Sequence, residues 1–141
     1  RACKFRMNGL RLVLDGLADP GNRAAVIRSS EALGLLHVHV VPCAGPTPHV
    51  QFRKRMSRSI TTGSEKWMKV HYHQDVDECI SMLRNEGFNQ ILTAKPENPD
   101  NDVCHNPIPL QKIDFAKRTA LVFGNEKNGI SPHMSQICDG D

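Results

Sequence analysis

Aromatic residues are scarce in this sequence: one Trp, one Tyr and five Phe among 141 residues. So few rings argue against a stacking platform as the main surface for a nucleic acid. No apolar run approaches the ~20 residues that a membrane-crossing helix needs, and Arg1-Ala2-Cys3-Lys4 does not open a signal peptide. A membrane is therefore not an expected partner. The first residue is Arg, not Met, which suggests a fragment or a processed chain. The five cysteines, Cys3, Cys43, Cys79, Cys104 and Cys138, are odd in number and form no Cys-x-x-Cys pair. That spacing speaks against a zinc site or a disulfide framework and for a reducing compartment, the cytoplasm or an organelle matrix. No one sign of charge dominates either. The net charge of +3 suits an acidic partner without demanding one. With 39% hydrophobic and 23% charged residues, positions 1–141 read as one globular domain with one core.

What is present is an alternation of strand and helix signals. Leu10–Leu14 is apolar and β-compatible, and it runs into the turn-rich Asp19-Pro20-Gly21. Asn22 is placed to cap a helix that continues to about Leu33, with Gly34 just past its end. Val38–Val41 reads as a strand closed by Pro42, and a short helix is expected through Trp67 before a strand at Val70–His73. Asp75 with Glu78 three residues on makes a capping-box start, and Val76, Cys79, Ile80 and Leu83 follow helical spacing up to Gly87. Gln90–Thr93 reads as a strand, Lys95–Lys112 as a polar loop, and Thr119–Phe123 as a buried strand. Ser131-Pro132 then suits the cap and first turn of a last helix. Strands separated by helices of about three turns imply βαβ units and a mostly parallel sheet flanked by helices. Ligands of such sheets sit at the carboxyl ends of the strands, which directs attention to Asp15–Asn22, Thr93 onward, and Gly124–Ser131.

Two features of these loops stand out. Ala25, Arg28, Ser29 and Ala32 share one face of the first helix, an arginine among small residues. It is either a snorkelling or salt-bridged side chain, or a guanidinium held for a phosphate or ribose oxygen. Gly124-Asn125-Glu126-Lys127-Asn128-Gly129 lacks both the phosphate-loop ending and the dinucleotide fingerprint. Its glycines and asparagines allow a tight fold around a ligand, or simply a turn.

Taken together these segments resemble the SpoU/TrmH branch of the SPOUT superfamily, RNA ribose 2′-O-methyltransferases. Asn22, Ala25 and Arg28 match its first motif, and Leu121–Glu126 with Gly129-Ile130-Ser131 resembles the second. Gly63–Trp67 and Asp75–Thr93 are similar to the tRNA-guanosine (TrmH) subgroup in particular. The resemblance spans about Leu12 to Asp139 and implies a deep α/β knot, a homodimer, S-adenosyl-L-methionine as cofactor and tRNA, at a D-loop guanosine, as substrate. It implies Arg28, Asn22 and Glu126 as catalytic residues and Thr93, Gly124 and Asn125 as cofactor-binding ones. A ribose hydroxyl is a poor nucleophile and needs proton removal and placement. A guanidinium has donors and no acceptor, so the role implied for Arg28 is to stabilise the developing alkoxide, with an RNA phosphate able to relay the proton. The family's Ser-Leu-Asn-type third motif does not occur within Arg1–Asp141, so an incomplete knot is expected.

Other features have plainer readings. His37 and His39 share one side of a strand, as do His71 and His73, but no third ligand stands at a suitable spacing, so no metal is expected. Cys104-His105 lacks a base-orienting partner. Arg53, Lys54, Arg55 and Arg58 form a solvated face by default and phosphate contacts if the partner is RNA. Two functions remain open: an RNA methyltransferase, or a non-catalytic RNA-binding or dimerisation module that keeps the scaffold.

Overall fold

The computed structural model of the chain describes residues 7–43, 67–94 and 108–140. The elements run β1 (Leu10–Asp15), α1 (Pro20–Ala32), β2 (His37–Val41), β3 (Lys69–Tyr72), α2 (Val76–Asn85), β4 (Gln90–Ala94), a 3₁₀ turn at Leu110–Lys112, β5 (Thr119–Phe123) and α3 (Pro132–Ile137). The five strands form one sheet in the order β3-β2-β1-β5-β4, and every pairing is parallel. Past α3 the backbone returns to the sheet, where Gly140 bridges Leu92 on the far side of β4.

Strand alternation divides the core between the two faces. Ile27 of α1 packs with Leu14, Val38 and Val40 on one face. Cys79, Ile80 and Leu83 of α2 and Met134 of α3 pack with Val13, Ile91, Ala120 and Val122 on the other. Helices on opposite faces are what right-handed crossovers require when the chain winds both ways from the centre of a sheet.

The expected helix at Asp75 forms as its caps dictate. The Asp75 carboxylate accepts the Glu78 N–H at 2.8 Å, Glu78 reaches back to the Gln74 N–H at 2.5 Å, and Gly87 ends the turn at φ +83°. The start of α1 differs from expectation. Asp19, not Asn22, is the N-cap, its side chain accepting the Gly21 N–H, with Pro20 in the first turn. Proline has no N–H to lose and a fixed φ there, so Asp19-Pro20 begins the helix rather than a separate turn. Asn22 is thereby left inside the first turn, with its side chain not spent on capping the helix. The rest of the expected 95–112 loop up to residue 107, the Arg53–Arg58 cluster and the expected helix before Trp67 lie outside the described residues.

Candidate functional site

The connection after β1 leaves through α1 toward β2, whereas that after β5 leaves through α3 toward the far side of β4. Neighbouring strands whose connections diverge open a crevice at their carboxyl ends. Here the crevice lies between the 15–19 and 124–131 loops, the two that carry the sequence motifs.

The first loop is tightly held. Gly16 turns out of β1 at φ +69°, and its N–H donates to the Val41 carbonyl at 3.1 Å. Arg23, only 3% exposed, donates from Nη1 to the Leu17 carbonyl at 2.5 Å, and burial lowers its pKa. The second loop closes on itself. Asn125 and Gly129 exchange both backbone hydrogen bonds at 2.8 Å. A Cβ on Gly124 would stand 2.3 Å from the Gly129 carbonyl carbon, so only glycine fits there.

Three side-chain bonds join the loops. The buried Asp15 carboxylate accepts the Ser131 N–H at 2.7 Å, at the N-cap of α3. Asn125 Nδ2 donates to the Gly16 carbonyl at 2.8 Å. Asn22 Nδ2 donates to the Glu126 carboxylate, and this pair is exposed.

The structure therefore brings Asn22, Glu126, Gly124 and Asn125 together. Arg28 stands on the exposed arc of α1 with Asn22, Ala25 and Ser29, and no described residue forms an ion pair with it. Thr93 is buried at the end of β4, where its N–H and hydroxyl both point to the Gly140 carbonyl, at 2.9 and 3.4 Å. Asp15 and Gly16 fall in a loop that the sequence marks, but without individual roles, and Arg23 and Cys43 carry none there; Arg23 shares the buried arc of α1 with Ala24, Ile27 and Ser30. A cavity of about 740 Å³ lies elsewhere, by Gln90, Lys117 and Arg118 at the amino ends of β4 and β5.

A second polar cluster is buried between the sheet and α2. His39 lies opposite His71 in the β2–β3 register. His39 Nδ1 is 2.9 Å from His73 Nε2, and His37 Nδ1 is 2.8 Å from His71 Nε2. The His39 and His73 ring centres are 5.2 Å apart at an interplanar angle of 7°. The N···N distance plus two ring radii fills that separation, so the rings lie edge to edge and nearly coplanar, in line rather than face to face. Arg11 Nη1 is 3.2 Å from His39 Nε2. Because arginine only donates, that nitrogen accepts, Nδ1 carries the proton, and it donates to His73. Arg11 is held in turn by Glu86 at 2.5 Å and lies 4.6 Å from the Phe88 ring centre. Burial first, then the neighbouring imidazoles, hold the His39 pKa down at about 2, and burial with Arg11 lowers His37 to about 4.

The histidines do gain the third donor that their spacing lacked. Cys79 of α2 brings its sulfur within 4.8 Å of His39 and His73. The two facing ring nitrogens do not aim at a shared third point, as a tetrahedral ion requires; His39 Nδ1–H points at the lone pair of His73 Nε2. Burial pushes the Cys79 thiol up to about 12, so it is a neutral apolar group here.

An open parallel α/β domain with its exposed polar groups at a topological switch point is the class that fold and site define. Residues 9–141 match the SpoU rRNA Methylase family, and the chain belongs to that family. It is 29% identical over 135 residues to the tRNA (guanosine(18)-2′-O)-methyltransferase of Thermus thermophilus, covering 96% of this chain and 62% of that protein. The chain thus spans less than two thirds of that relative's length. Its fold is similar to the A. aeolicus TrmH/SpoU tRNA modifying enzyme, with a TM-score of 0.73, 24% identity, and 99% of this chain and 64% of that one covered. It is also similar to the SpoU methyltransferase AviRb from Streptomyces viridochromogenes in complex with AdoMet, with a TM-score of 0.67 and 24% identity over 92% of this chain and 46% of that one. At these identities the solved structures establish the fold.

Proposed function

We propose that this chain carries the site of an S-adenosylmethionine-dependent RNA ribose 2′-O-methyltransferase that acts on tRNA at a D-loop guanosine, as a homodimer with a knotted fold in a reducing compartment. The observation that carries this reading is the Asn22–Glu126 bond, which joins the two family motifs in the crevice between β1 and β5. The name of the Thermus thermophilus relative supports the reaction and the tRNA, and the AviRb complex supports the cofactor. Among the described residues no helix is long and apolar enough to cross a membrane. The free thiols of Cys43 and Cys79 accord with reducing surroundings.

The residues present fit the cofactor. Gly124, with no side chain at the end of β5, would hold it through its main chain, with Thr93 at the neighbouring strand end. When bound, S-adenosylmethionine supplies a methyl group on a cationic sulfur. The protein's part is then to place the ribose hydroxyl and manage its proton. Arg28, exposed and without an ion pair among the described residues, offers five N–H donors to the oxygen as it gains negative charge. Asn22 and Glu126 brace the helix that presents it. Arg53, Lys54, Arg55 and Arg58 contribute contacts to RNA phosphates in this reading.

Incubating the full gene product with labelled S-adenosylmethionine and tRNA is expected to yield a nuclease-resistant dinucleotide carrying the label. Label on a base, or on ribosomal RNA alone, overturns the proposal.

A further inference from the structure

We infer that Asn125 is a positioning residue for the proposed methyl transfer, acting through the main chain of the two loops rather than on cofactor or substrate. The orientation of its amide is settled by its partners. Nδ2 faces the Gly16 carbonyl at 2.8 Å, while Oδ1 accepts the Lys127 N–H at 2.8 Å and the Asn128 N–H at 3.4 Å. A side-chain amide oxygen has two acceptor sites, so the oxygen has nothing left for a ligand. The backbone N–H and C=O pair with Gly129 as well, so the bonds of Asn125 all run within the two loops, with one Nδ2 hydrogen and one backbone-carbonyl lone pair unspent.

What these bonds do follows from where they lie. The Gly16 carbonyl is a shared post: Asn125 reaches it from the end of β5, and the Cys43 thiol donates to it at 2.7 Å from the end of β2. Gly16 lies between β1 and the Asp19 cap of α1, so its position sets where α1 begins. Asn22 stands six residues after Gly16, and Glu126 directly follows Asn125. The Gly16–Asn125 bond is thus the nearby internal brace behind the exposed Asn22–Glu126 pair. It fixes the separation of the two motif loops at the mouth of the crevice. Asp15 bonding Ser131 is the second brace, and it leaves the 124–129 turn free to tilt if the first is cut.

Asn125→Asp separates the two jobs of this side chain. A carboxylate still accepts from Lys127 and Asn128, but it sets an oxygen against the Gly16 carbonyl, two acceptors with no proton between them. Asn125→Ala removes the brace without adding charge and serves as the second variant. Two readouts decide. One is the split between kcat and KM for RNA methylation, which rests on the proposed activity. The other is the NMR signal of the Asn22 side-chain amide, displaced from the free position by its bond to Glu126, which does not. In both variants kcat is expected to fall ten- to hundredfold with both KM values within threefold, and the Asn22 signal to move toward the free position. An unmoved Asn22 signal, or a rise in cofactor KM with kcat preserved, overturns the inference. If the wild-type protein transfers no methyl group to RNA, the activity reading falls, and the Asn22 signal still decides the role of Asn125.

Discussion

The protein holds two polar clusters that differ in what they leave unfinished. The crevice loops spend their internal groups on one another, through Asp15–Ser131 and Asn125–Gly16, and turn Asn22, Glu126 and Arg28 toward solvent. The imidazole cluster spends its groups inward, from Glu86 through Arg11 and His39 to His73, behind α2. Histidines and a cysteine would draw the eye first as chemistry. Yet the informative contrast is satisfaction: a buried polar network with its partners supplied, here all but Arg11 Nε, specifies structure, whereas exposed donors and acceptors on a braced frame are available to a ligand.

The largest effect that would break this contrast concerns Arg28. Arg28→Ala in the full gene product is expected to cut turnover more than about a hundredfold, ~2.7 kcal/mol of barrier, with melting temperature and cofactor affinity little changed. Arg28→Lys should not restore it, because an ammonium lacks the planar fork. Activity above about a tenth of wild type in steady-state assays would remove Arg28 from the chemistry.

The imidazole cluster should show the opposite pattern, in stability rather than rate. His39→Leu deprives both Arg11 and His73 of a buried partner and is expected to cost about 2–4 kcal/mol in urea unfolding. The pH dependence sharpens the point. His39 and His37 have folded pKa values depressed to about 2 and about 4, against 6.5 unfolded. His71 and His73 are lowered too, by burial above all. Arg11 and Lys69 add to the depression, while Glu78, Asp75 and Glu86 oppose it. Below pH 6.5 the unfolded chain takes up protons that the folded one refuses. The stability from neutral burial is therefore complete above pH 6.5 and declines as pH falls toward 4. Unfolding midpoints that stay flat between pH 7 and pH 5 would show that the cluster accommodates protons.

The smallest expected effect is on stability at the crevice. The Asn22–Glu126 bond is exposed, so Glu126→Gln should shift unfolding free energy by less than about 1 kcal/mol. A larger loss would mean that this pair holds the fold, blurring the line between the two clusters.

How far the sequence shows these clusters depends on the range of the signal. The α2 helix was legible because its cap and its apolar spacing lie within Asp75–Leu83. The parallel α/β order and the two motif loops were legible for the same reason. Asn22 was misassigned as a cap because Asp19 and Asn22 are both good capping residues, and Pro20 in the first turn decides between them. The alternation of His37 with His39, and of His71 with His73, correctly placed each pair on one side of a strand. That the pairs bond in line depends on the β2–β3 register, and the Cys79 sulfur arrives from a helix. Asn125 and Gly16 are 109 positions apart, and no local pattern connects them.

The place of β5 in the sheet has a consequence for synthesis. It lies between β1 and β4, pairing Leu10 with Thr119, yet it is made last of the five. On a ribosome working at roughly 5–20 residues per second, Phe123 follows Tyr72 by roughly three to ten seconds. Through that interval the inner edge of β1 offers its backbone groups to any passing strand, which is how nascent sheets aggregate. Closing a loop of about a hundred residues to fill the gap is also slow, since such distant pairings dominate folding time. The seam that carries the crevice is thus the last part of the sheet to form, and the nascent chain most needs shelter before the second motif has been translated.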